Sequence, residues 1–186
     1  MQSIVVFCGS NAGLNSVYTK VTRQVGEVLA HRGLELIYGA GNIGLMGVLA
    51  DAALAAGGRV VGVIPYFLRD KEVCHTGLSD LHLTKSMDER KVIMARLSDS
   101  VLVLPGGYGT MDELFEMLTL VQLRQAHFPI GILNINGFYD HLIQQVTKMQ
   151  QEGFIKDFHR NLILVDDNIE RLLDKMAQII PSEEDK

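Results

Sequence analysis

The chain has 186 residues, 47% of them hydrophobic and 21% charged, enough apolar material for a full core and unlike the composition of a disordered protein. Acids outnumber bases 22 to 17 and no basic stripe is present, which excludes nucleic acid as the expected partner. No run approaches the roughly 18 uninterrupted apolar residues of a membrane span. The N-terminus lacks the layout of a signal peptide, and Cys8 and Cys74 form no CxxC pair. The expectation is a reduced, cytoplasmic protein with neither membrane nor nucleic acid as partner.

In chain order, an apolar strand is predicted over Ser3–Phe7, running into Cys8-Gly9-Ser10-Asn11. Cys8, at its end, reads as a small core residue rather than a catalytic thiol. A helix follows over Ser16–His31, with His31 in a structural role beside Arg32-Gly33. The second strand, Glu35–Tyr38, leads into Gly39-Ala40-Gly41-Asn42-Ile43-Gly44. This loop follows the wrong strand for a dinucleotide fingerprint, and no acid ends the next strand to hold a ribose; GxxxxGK[ST] is absent too. Either it lines a pocket or its glycines serve a tight turn and close helix packing.

Next come a helix over Leu45–Ala56, a strand over Arg59–Val63 and the least regular stretch, Pro65–Leu83. The charged tip of that stretch, Arg69-Asp70-Lys71-Glu72, is either a rim over the crevice or a solvated loop. A helix over Met87–Leu97 has Ser86 as N-cap and Glu89 placed for a capping box. Arg90 precedes Met94 and Leu97 by four and seven residues, so it lies on the apolar side. A guanidinium aimed into the crevice is favoured there over a snorkelling one. The remaining elements are strands Ser100–Leu104, Pro129–Leu133 and Leu162–Val165, helices Met111–Gln125, Phe138–Gln151 and Ile169–Ile180, and a polar tail, Pro181–Lys186.

Short Val/Ile/Leu-rich strands alternating with helices predict an α/β fold. The form expected is a Rossmann-like three-layer αβα sandwich around a central parallel sheet, one domain over residues 1–180. With six strands in the order 3-2-1-4-5-6, ligands bind at the switch point between the first and fourth strands.

The fourth strand ends in Pro105-Gly106-Gly107-Tyr108-Gly109-Thr110-Met111-Asp112-Glu113. Strand, glycine loop and helix start in succession favour an anion at the backbone N–H groups. Thr110 caps the helix or donates to a phosphate oxygen. Asp112 and Glu113 are expected in the first turn of a helix that is apolar around most of its circumference, where acids need a partner or a ligand. Asp112, Glu116 and Thr119 form a polar seam at i, i+4 and i+7. The six histidines form no compact ligand set, and neither a metal nor a cofactor is called for. Lys91 lacks the surroundings of a Schiff-base lysine.

The motifs Met87-Asp88-Glu89-Arg90-Lys91 and Pro105–Glu113 together resemble the LOG ("lonely guy") family of cytokinin riboside 5′-monophosphate phosphoribohydrolases. Tyr38–Gly47, Gly62-Val63-Ile64-Pro65 and Pro129–Asn134 extend the resemblance over nearly the whole chain; Ala40 replaces a glycine of the usual run, and Asp112 replaces the glutamate usual in plant members. The resemblance implies a homodimer that hydrolyses AMP or N6-substituted AMP to base and ribose 5-phosphate. It places catalysis on Arg90 and Glu113. Its ligand contacts fall on Glu72, Lys91, Gly106, Gly107, Tyr108, Gly109, Thr110, Met111, Asp112 and Thr119. A general AMP nucleosidase and a non-catalytic nucleotide carrier are the alternatives. Such proteins have also been called lysine decarboxylases, but no residue pattern here supports a pyridoxal-phosphate site.

Overall fold

Side chains alternate along the strands and are buried on both faces. Ile4 and Val6 join Leu36, Leu102 and Leu104 in one apolar cluster, while Val5 and Phe7 join Ile37, Val101 and Val103 in a second. A two-residue period with apolar residues at both phases requires a layer of helices on each side.

The computed structural model describes residues 1–69 and 74–179. Its strands are β1 (Ser3–Phe7), β2 (Glu35–Tyr38), β3 (Val60–Pro65), β4 (Asp80–Thr84), β5 (Val101–Val103), β6 (Ile130–Leu133) and β7 (Ile163–Asp166). The helices are α1 (Ser16–His31), α2 (Gly44–Ala55), α3 (Tyr66–Arg69), α4 (Met87–Leu97), α5 (Tyr108–Gln122), α6 (Asp140–Gln151), α7 (Asp157–Arg160) and α8 (Ile169–Gln178). Residues of α1, α2 and α8 pack in the first cluster, and residues of α4, α5 and α6 in the second. The three-layer α/β architecture is therefore as expected.

All pairings between the named strands are parallel, in the order β4-β3-β2-β1-β5-β6-β7. This is the predicted order with one strand added outside β3. The added strand, β4, lies in the stretch read as irregular. It pairs with β3 from Val61↔Asp80 to Pro65↔Thr84, yet as an edge strand it keeps Asp80 and Leu81 exposed. Its apolar signal is correspondingly thin.

Helix ends follow local chemistry. Asn15 caps α1 by accepting from Val17 N–H, and Gly33, at φ 68°, turns the chain out after His31. Ser86 Oγ accepts from Glu89 N–H at 3.1 Å, but Glu89 Oε2 accepts from Lys85 N–H at 2.6 Å. The return bond expected of a capping box thus lands one residue early. Among the described residues no helix is long and apolar enough to cross a membrane.

Candidate active site

The C-terminal ends of β1 and β5 meet where the strand order reverses. Gly9 N–H donates to Pro105 O at 3.0 Å, and an added Cβ on Gly9 would lie 3.4 Å from Gly106 Cα. Above this contact is a hollow of about 270 Å³, lined by the Gly9–Gly13 loop, Tyr18, Leu45, Pro105, Gly106, Gly107 and Phe138. The hollow coincides with the predicted switch point. Its aromatic wall was not legible in the sequence. Tyr18 and Phe138 meet edge-on at 5.9 Å although 120 positions separate them, and Phe138 meets Tyr139 at 4.8 Å. Tyr139 in turn donates its hydroxyl to Leu104 O at 2.7 Å, tying the wall to the strand that enters the glycine loop.

One expectation about that loop is corrected. The helix begins at Tyr108, with Gly107 as its N-cap, so Asp112 and Glu113 stand in the second turn, not the first. Glycine is poor in a helix interior but acceptable in its opening turn, which let the helix start three residues before the apolar pattern did. The first helical N–H groups, those of Tyr108, Gly109 and Thr110, have no acceptor within the helix. Around Gly107 and Gly109 a Cβ would meet nothing within 4 Å, so the backbone is open to approach. Gly106 is crowded instead: its Cβ would lie 2.0 Å from Thr110 Oγ1. Thr110 is therefore buried against the loop at the third helical position rather than serving as the cap. Tyr108 is almost fully exposed, and Met111 is half-buried against the core.

Arg90 does not snorkel. It is 6% exposed, and its Nε–H donates to Val63 O at 3.1 Å. Its Nη1 lies 3.8 Å from Glu113 Oε1, and Glu113 is itself buried. Lys91, the next residue on α4, sends its ammonium to Asp112 Oδ2 at 3.1 Å and to Glu116 Oε2. The Glu116 hydrogen bond outweighs burial and, with Asp112, holds this lysine above its ordinary pKa. Two adjacent bases of α4 thus engage three acids of α5. Beside them, burial, with the Glu113 charge adding to it, pushes the Cys8 thiol far above its ordinary range, so it stands as a neutral, buried group.

Not every candidate gathers here. Thr119 is exposed, donates its hydroxyl to Phe115 O at 2.7 Å and lines a separate hollow between α5 and α6. Glu72 lies outside the described residues, as do the rest of the charged tip beyond Arg69 and the tail at 181–186. Of its two readings, the Gly39–Gly44 loop shows close packing and a tight turn; the lining of the hollow takes in Leu45 but none of residues 39–44. Gly39 faces the Arg90 guanidinium, while Gly44, at φ 64°, would place a Cβ 2.2 Å from Ser10 O. Ala40 occupies the left-handed region at φ 61°, where the family's glycine carries no penalty.

Comparison with known proteins bears on what this site is. A family model described as "Possible lysine decarboxylase" matches residues 46–176. A protein of Oryza sativa subsp. japonica, named probable cytokinin riboside 5′-monophosphate phosphoribohydrolase, is 44% identical over 98% of this chain and 82% of its own. An Arabidopsis thaliana cytokinin riboside 5′-monophosphate phosphoribohydrolase is 39% identical over 96% and 78%. The molybdenum cofactor carrier protein of Chlamydomonas reinhardtii superposes with a TM-score of 0.72 at 18% identity, covering 96% and 97%, a likeness of fold alone. With identity sustained over nearly its whole length, the chain belongs to the LOG family of phosphoribohydrolases.

Proposed function

We propose that this protein hydrolyses the N-glycosidic bond of adenosine-type 5′-monophosphates, including N6-substituted ones, to the free base and ribose 5-phosphate. The observation that carries the reading is the buried Arg90–Glu113 pair, 3.8 Å apart, whose acid stands on the helix that opens at the glycine loop. The names of the relatives point to the same reaction.

In this reading the N–H groups of Tyr108, Gly109 and Thr110 hold the 5′-phosphate at the N-terminus of α5, where the helix dipole favours an anion. Holding that end directs the ribose along α5 toward Glu113. As the C1′–N9 bond lengthens, positive charge gathers at C1′ and the electron pair leaves with the base. The Glu113 carboxylate stabilises that charge and accepts a proton from the attacking water, whose oxygen bonds to C1′. The departing base takes up a proton from solvent, and Glu113 returns to solvent the one it accepted, so that one water is consumed overall. Arg90, 3.8 Å away, fixes the direction of the Glu113 carboxylate. Lys91 holds Asp112 and Glu116 on the same helix, which secures the acid-bearing turn.

A decarboxylase acting through pyridoxal phosphate needs a lysine that gives up its proton to form an imine. Lys91 is instead held protonated by two carboxylates, which does not suit that role.

The reading also takes the protein to be a cytoplasmic homodimer. Cys8 stands as a buried thiol, as in a reducing compartment. Phe115 on α5 and Leu123 at its C-cap are exposed, and Phe115 lines a hollow with Leu118, Val146 and Met149, an apolar face that a second copy would cover. Thr119 lies on that face, so its assigned contact depends on the dimer.

The test is incubation of purified protein with AMP and with N6-isopentenyl-AMP, read by product chromatography. Base and ribose 5-phosphate are expected from the N6-substituted nucleotide. Equal rates on both make the protein a general AMP nucleosidase, and intact nucleotide in both reactions supports a carrier.

A further inference from the structure

We infer that Gly39 is a positioning residue for Arg90: the missing side chain at the end of β2 is the seat of the guanidinium. The inference rests on the reading that Arg90 takes part in the reaction, and goes beyond it by naming what holds that arginine in place.

A Cβ built on Gly39 would lie 2.0 Å from Arg90 Nη2 and 3.3 Å from Arg90 Cζ. The other near atom is Met46 Sδ at 3.0 Å, the far part of a flexible side chain. The guanidinium therefore occupies the volume that any other amino acid at position 39 would fill. Its remaining contacts leave it little choice of place. Nε–H is committed to Val63 O at the end of β3, Nη1 faces Glu113, and Nη1 also lies 3.9 Å from Met87 Sδ. The ends of β2 and β3, with one residue of α5, define the seat.

The backbone of Gly39 does not require glycine. Its φ is outside the left-handed region, where Gly13, Gly33 and Gly44 are found. Gly39 is thus explained by the approach of Arg90 and not by turn geometry. An alanine fits the backbone but forces the guanidinium back by about 1.5 Å to an ordinary van der Waals separation. A shift of this size moves Nη1 relative to Glu113 and breaks the geometry with Val63 O. Misplacement of a positioned group by about 1 Å costs up to about a hundredfold in rate.

The experiment compares wild type, Gly39→Ala, Arg90→Lys and the double variant, using N6-isopentenyl-AMP as substrate and melting temperature as a control for folding. Gly39→Ala is expected to lower kcat by about ten- to a hundredfold with KM little changed. Its melting temperature should stay within about 3 °C of wild type. In the Arg90→Lys background, which lacks the crowded Nη2, the same substitution should cost less than about twofold, because interacting residues are not additive. An equal loss in both backgrounds, or Gly39→Ala activity within twofold of wild type while Arg90→Lys is impaired, overturns the inference. Should Arg90→Lys match wild type, the reading of Arg90 in the reaction fails instead. A crystal structure of Gly39→Ala then decides the seat by itself, as it does if Arg90→Lys is inactive. Arg90 displaced from Val63 O supports the inference, and Arg90 in its present position contradicts it.

Discussion

At the scale of single residues, the site is two bases on one helix matched to three acids on another. Arg90 was legible because its spacing to Met94 and Leu97 put a cation on the apolar side of α4; the structure shows that side chain buried against Val63 O. What spacing did not reveal is how the acids divide. Lys91 takes Asp112 and Glu116, and Arg90 faces Glu113. Gly39, Tyr18 and Phe138 were equally hidden, because each acts on a residue remote in sequence. Replacing Lys91 by Met leaves two carboxylates without their shared cation. Because Asp112 is largely exposed and Glu116 partly so, the cost should be about 1–2 kcal/mol rather than the larger penalty of a fully buried pair. Urea unfolding should show a lower midpoint at unchanged slope. An unaltered midpoint would mean that Lys91 does not secure the acid-bearing turn.

At the scale of elements, most strands and helices were readable from apolar runs and their period, and the misses have local causes. The start of α5 was placed late because Gly107 and Gly109 look like loop. The edge strand β4 was missed because little of it is buried. The junction of β7 and α8 shows a different device. Asp166 accepts from Asn168 N–H, Arg171 and Lys175, and its side chain is only 6% exposed. Burial by itself would raise the pKa of this carboxyl, but the hydrogen bonds from Lys175, Arg171 and Asn168 and the Arg171 charge hold it well below the ordinary range. A depressed folded-state pKa gives stability that is complete above the unfolded value of about 3.9 and drains away as pH falls below it. Asp166→Asn should therefore melt below wild type at neutral pH, with the gap narrowing in acid. A gap that stays constant from pH 7 to about pH 3 would show that ionisation of Asp166 is not what ties α8 to the sheet.

At the scale of the whole molecule, the reversal in strand order between β1 and β5 brings the two small-residue loops together, as the predicted topology required. The resemblance carried by Arg90-Lys91 and by Pro105–Glu113 named a reaction class that fold alone does not, since the same fold serves a molybdenum cofactor carrier. The proposed homodimer rests on the apolar character of α5, part of which is exposed. Light scattering at low micromolar concentration should give twice the 20.6 kDa mass of one chain. A monomer would leave Thr119 with no route to a ligand.

The central claim is that Glu113, beside a helix N-terminus that holds phosphate, drives scission of the glycosidic bond. The most direct measurement is the single-turnover release of base and ribose 5-phosphate from N6-isopentenyl-AMP by wild type and by Glu113→Gln. Wild type should release the two products in equal amounts, with the variant slower by about a hundredfold or more and its melting temperature nearly unchanged. Equal rates for the two proteins, or intact nucleotide with wild type, would contradict the claim.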